Sequence, residues 1–65
     1  MSGRNARIRY IRKALDMTQE EFAPLLGVHR VTLAKIERGI AAGTEVAEKI
    51  DRFIAEYDAK VRRTA

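Results

Sequence analysis

An all-α fold of four to five helices, closing on one long C-terminal helix, is what this sequence predicts. Three observations predict it. Apolar residues recur at steps of three and four, and the alternation of β-branched residues that marks a strand is missing. A single proline, Pro24, interrupts the chain. Residues 17–22, "MTQEEF", carry two independent signals for one helix start.

The 65 residues are expected to form a single domain, 1–65. A chain of this size buries only about 60% of its extended surface on folding, so its core is thin. With no cysteine, neither a disulfide nor a thiolate metal site reinforces it. Apolar residues at 46% and charged residues at 34% give a globular balance. No apolar run approaches the roughly 18 residues of a membrane span. The basic start, "MSGRNARIRYIRKAL", lacks the apolar core and small-residue cleavage site of a signal peptide. A cytoplasmic protein is therefore expected. Thirteen lysines and arginines stand against nine acids, for a net charge of +4. That balance suits a polyanionic partner or an ordinary basic surface equally well.

The first helix is expected from about Asn5 to Leu15, with Ile8, Ile11 and Leu15 on one face. Asp16 follows, a residue that tolerates the left-handed conformation found just past many helix ends. Thr18 can cap the next helix while Glu21 reaches back to the Thr18 amide, which is a capping box. Met17 and Phe22 form the matching hydrophobic staple, so the second helix is set at Gln19 to Leu26. Pro24 lies past the positions where a missing amide costs nothing. In an isolated helix interior it would cost about 3 kcal/mol, by a kink or a tightened turn.

The third helix is expected at about Arg30 to Arg38, ending at Gly39. The loop "GIAAG" then leads to Thr44, a candidate cap. In the last segment Val46, Ala47, Ile50, Phe53, Ile54, Tyr57 and Val61 form one apolar stripe on a helix of about 45–62. Gly27 separates the second and third helices. A steep crossing over so short a turn needs a residue at positive φ, which glycine adopts without steric cost. Phe22, Ala23 and Leu26 face the crossing from one side and Leu33 and Ile36 from the other, with Val28 at the corner.

Residues 18–39, "TQEEFAPLLGVHRVTLAKIERG", resemble the helix-turn-helix of the lambda-repressor/Cro-like family, and the likeness extends from Arg7 to about Ile54. The threonine and glutamine at the helix start, Ala23 at its fifth position, Gly27-Val28 and the closing Ile36-Glu37-Arg38-Gly39 carry it. His29 departs from the pattern, because the family usually has serine or threonine there to cap the third helix. The resemblance implies a compact DNA-binding domain that presents its third helix to the major groove of double-stranded DNA. Arg30, Val31 and Lys35 are then expected to contact bases. Arg30 has the geometry for guanine O6 and N7, Val31 for a thymine methyl, and Ala34 leaves room for close approach. Gln19, His29, Thr32, Arg12 and Arg38 are the candidates for backbone contacts. Arg38 at the far end reads more readily as solvated surface, and His29 equally as a plain helix-start residue. Arg12 and Glu37 match a family pair that ties the first helix to the end of the third. Arg4, Arg7, Arg9 and Lys13 are basic enough to follow the DNA backbone, with Met1 to Arg4 either an arm or disordered.

The resemblance implies a sequence-specific regulator of bacterial or phage origin, a dimeric repressor of its own operon on a palindromic operator. The alternative on the same fold is a module that binds a protein such as a toxin. An enzyme is excluded on inventory, since one histidine, no cysteine and no Gly-rich phosphate loop leave no catalytic set. No cofactor and no metal is expected. Val46, Ala47 and Ile50 suffice to close a four-helix core. Phe53, Ile54, Tyr57 and Val61 are therefore expected to remain uncovered and to form a homodimer interface. The rival expectation is a helix broken near Arg52, with Phe53 folded back on its own core.

Overall fold

The computed structural model describes residues 3–64, and within them the chain forms four helices and no strand. These are α1 (Gly3–Ala14), α2 (Gln19–Leu26), α3 (Arg30–Glu37) and α4 (Thr44–Thr64). At about 1.5 Å per residue, the 21 residues of α4 account for the 32 Å long axis of the molecule. No described helix is long and apolar enough to cross a membrane.

The first three helices end in one way. The N–H of Met17 donates to the Arg12 carbonyl and that of Asp16 to Lys13, with Asp16 left-handed at φ 57°. Val28 donates to Ala23 and Gly27 to Pro24, with Gly27 at φ 76°. Ile40 donates to Lys35 and Gly39 to Ile36, with Gly39 at φ 95°. Each pair satisfies carbonyls that the helix end leaves free, and each needs one residue at positive φ. At the Gly27 turn, Lys49 from α4 adds a bond from Nζ to the Gly27 carbonyl at 3.0 Å. A Cβ on Gly27 would meet Lys49 Cδ at 3.7 Å, an ordinary contact. Glycine is therefore required there by backbone conformation and not by space.

The start of α2 is as expected. Glu21 N–H donates to Thr18 Oγ1 at 3.1 Å and Thr18 N–H to Glu21 Oε1 at 2.9 Å. Pro24 lies within α2 on its exposed side, and the helix continues through it to Leu26. The bond it removes belongs to the carbonyl of Glu20, an exposed residue where water can substitute.

The core is Ile8 and Ile11 from α1, Phe22, Ala23 and Leu26 from α2, Leu33 and Ile36 from α3, and Ile50 from α4. Four expectations need correction. The first helix begins at Gly3 and ends at Ala14, so Leu15 falls in the turn and is 42% exposed instead of facing the core. Arg4 belongs to α1 and bonds Asp51, so it is no arm; Met1 and Ser2 lie outside the described residues. Thr44 is the first residue of α4 and not its cap, and the first turn closes from Ala47 N–H to the Gly43 carbonyl at 2.8 Å. Last, α4 runs unbroken past Arg52, yet Phe53 still meets its own core. Its ring stands edge-on to Phe22, centroids 5.3 Å apart and planes at 90°. Ile54 and Tyr57 also pack against the core, half-buried. Of the four residues expected to be uncovered, only Val61 is.

Candidate nucleic-acid interface

Burial of Leu33 and Ile36 fixes which side of α3 faces out. At 3.6 residues per turn, Val31, Ala34, Lys35 and Arg38 fall on the opposite side, with Arg30 on the edge next to Ala34. Arg30, Val31, Lys35 and Arg38 are exposed, Val31 to 47%, whereas Thr32 and Ala34 are half-buried. The face thus carries three cations and one apolar side chain, over a small residue that lets another surface approach.

His29 caps α3. Its Nδ1 accepts the Val31 N–H at 3.0 Å, with the backbone extended at φ −76° and ψ 149°. The ring therefore does the work of the serine or threonine it stands in for. With Nδ1 an acceptor, the neutral ring carries its proton on Nε2 and keeps one donor for a further partner. Arg38 is the C-terminal cap, and its N–H reaches back to the last turn of α3.

One network joins α1 to both ends of the α2–α3 unit. Arg12 Nε and Nη2 donate to the two oxygens of Glu37 at 2.7 and 2.9 Å, and Nη1 donates to the Met17 carbonyl at 2.9 Å. Gln19 Nε2 donates to Glu37 Oε1 at 3.0 Å. The Glu37 side chain is 4% exposed and that of Arg12 15%. Burial alone would raise the Glu37 carboxyl, but the bonds from Arg12 and Gln19 and the charges of Arg12 and Arg9 outweigh it and hold it below its ordinary value. The bond to Glu37 in turn raises Arg12, against the opposing effect of burial, so the guanidinium stays charged. Charged, forked and partly buried, this pair sets the first helix, the start of α2 and the end of α3 in fixed relation.

The network places Gln19 beside the α2 N-terminus, where helix amides suit a phosphate. Glu20 and Glu21 occupy the same turn. Their charge opposes an anion, so a contact there relies on hydrogen bonds more than on net charge. Arg12 has three of its five N–H groups committed within the protein, which makes it first a tie between helices. The structure thus brings Arg30, Val31, Lys35 and Arg38 onto one outward face and gathers Gln19 and Arg12 around Glu37. Thr32 sits at the margin. Sequence reasoning missed three contacts: Arg4 to Asp51, Arg7 to Asp58, and Lys49 to the turn. Their partners lie 47, 51 and 22 residues away, beyond any local signal.

A family model described as Helix-turn-helix matches residues 8–56. No curated protein and no solved structure matches the chain.

Proposed function

We infer the function from family membership: this chain belongs to the lambda-repressor/Cro-like helix-turn-helix family and is a DNA-binding regulator. The finer reading is that it recognises a specific duplex sequence and represses by occupying it. The single observation that carries this is the outward face of α3, with Arg30, Val31 and Lys35 exposed over the half-buried Ala34. An α-helix fits the major groove, and the first turns of a recognition helix meet base edges there. Arg30 reads a guanine through two N–H groups, Val31 packs on a thymine methyl, and Lys35 takes a guanine or a phosphate. Gln19, His29, Thr32, Arg12 and Arg38 hold the backbone on either side.

The two kinds of contact separate in a titration. Arg30→Ala should weaken the best site by about 1–3 kcal/mol and relax the preference at one base pair. Gln19→Ala should weaken all sequences about equally, because a phosphate carries no base information. An Arg30→Ala protein with its base preference intact would remove Arg30 from the reading set. The alternative, a module for a protein partner such as a toxin, would show as a flat response of DNA binding to salt.

One recognition helix spans too few base pairs to choose a site in a genome, so two copies on a palindromic operator complete the reading. The surface for the second copy is a groove of about 520 Å³ beside α4, in which Leu15, Leu25 and Val61 are exposed next to Phe53 and Tyr57. Leu25 and Leu15 replace Ile54 in the interface expected from sequence alone. Glu56 and Lys60 stand on the rim. Two α4 helices packed antiparallel bring each Glu56 toward the partner copy's Lys60, so the face complements itself.

A further inference from the structure

The basic residues of α1 fall into two sets. Arg4 donates from Nε and Nη2 to Asp51 at 2.8 and 2.9 Å, and Arg7 pairs with Asp58, both acids on α4. Those two charges are balanced along the α1–α4 seam. Arg9 and Lys13 lie on the other flank, in an open cleft of about 440 Å³ between α1 and the C-terminal end of α3. Arg38 and Tyr10, the latter 68% exposed, line the same cleft. Among the described residues, none of Arg9, Lys13 and Arg38 is in an ion pair. Glu37 borders the cleft, but both of its oxygens are already taken by Arg12 and Gln19. Three cations without an ion-pair partner among the described residues thus surround an open cleft, and its single acid is already bonded to Arg12 and Gln19.

The position of the cleft says what it holds. Through Glu37 it adjoins Gln19 at the start of α2, and through Arg38 it adjoins the outward face of α3. It therefore continues the DNA-facing surface, whereas Arg4 and Arg7 are turned to α4. We propose that this cleft is a second seat for the DNA backbone, in which Arg9, Lys13 and Arg38 neutralise phosphates and the Tyr10 hydroxyl donates to one. The proposal rests on the DNA-binding reading above and extends it from the helix-turn-helix onto α1. It makes α1 a contributor to affinity and to the length of the footprint, with no part in base choice.

The test compares two doubly substituted proteins of equal charge. Wild type, Arg9→Ala/Lys13→Ala and Arg4→Ala/Arg7→Ala are titrated on one duplex between roughly 50 and 200 mM salt, with binding read by fluorescence anisotropy. Each phosphate neutralised on duplex DNA contributes about −0.9 to the log-log slope, so the cleft protein should lose about 1.8 in slope with its base preference unchanged. The seam protein should keep nearly the wild-type slope. Circular dichroism confirms that each is folded, and Arg52→Ala/Arg63→Ala, two exposed α4 cations, repeats the control without breaking an ion pair. An unchanged slope for the cleft protein overturns the proposal while leaving DNA binding intact. So does an equal loss in cleft and control proteins, which would reflect net charge alone. A wild type without salt-dependent DNA binding fails the functional reading itself, and the proposal falls with it.

Discussion

Phe22→Ala should leave a large part of the protein unfolded at room temperature. Phe22 is fully buried and its ring meets Phe53 edge-on at 5.3 Å, so it joins α2 to α4 across the core. Truncating a buried phenylalanine typically costs about 3–5 kcal/mol, of which an aromatic pair of this geometry supplies about 0.5–1.5. At about 0.05–0.15 kcal/mol per residue, the whole stability of a chain this short is about 3–10 kcal/mol. The loss is therefore comparable to the total. Chemical denaturation should show it directly, and a loss below about 1.5 kcal/mol would mean that the Phe22–Phe53 contact is not central to the core. Ile40→Ala, at an exposed position beyond the end of α3, should stay within about 0.5 kcal/mol.

Glu37→Gln should be the second most damaging change, and its effect should depend on pH. The substitution keeps the shape but leaves the Arg12 guanidinium, 15% exposed, without its carboxylate. Breaking a fully buried pair costs about 3–5 kcal/mol. Because water can still reach part of Arg12, about 1.5–3 kcal/mol is expected near neutral pH. The folded Glu37 carboxyl sits below its ordinary value of 4.5, so the stabilisation is complete above that value and is lost as the pH falls through the folded one. The gap between wild type and variant should therefore be constant above about pH 4.5, narrow as the pH falls below it, and close only below the folded value. Asp51 is held low in the same direction by Arg4, but that pair is exposed and adds little. A gap that stays constant from acid to neutral pH would contradict this account of Glu37. Because Glu37 also holds Gln19 and Arg12, the variant should bind all DNA sequences more weakly at neutral pH.

What was legible in the sequence was what depends on near neighbours. The Thr18–Glu21 box, the left-handed turns at Asp16 and Gly27, and the break at Gly39 all rest on residues within five positions of one another. The Arg12–Glu37 pair spans 25 residues and became visible only through family resemblance. Nothing local marks Asp51 and Asp58 as partners of Arg4 and Arg7, so the basic helix read as uniformly free when half of it is not. Phe53 was misjudged for a related reason. A periodic stripe shows which residues share a face, not how far the neighbouring helices extend beneath it. Residue type alone marks His29 as a departure from the usual cap, because only the ring orientation makes Nδ1 an acceptor.

The proposal that two copies of this chain read duplex DNA through α3 can be tested by selecting bound fragments from a pool of random duplexes. An enriched palindrome is expected, with half-sites about one helical turn apart, roughly 34 Å, each holding a guanine that loses its enrichment in the Arg30→Ala protein. A pool that emerges unenriched, or enriched only for a single unpaired half-site, would contradict it.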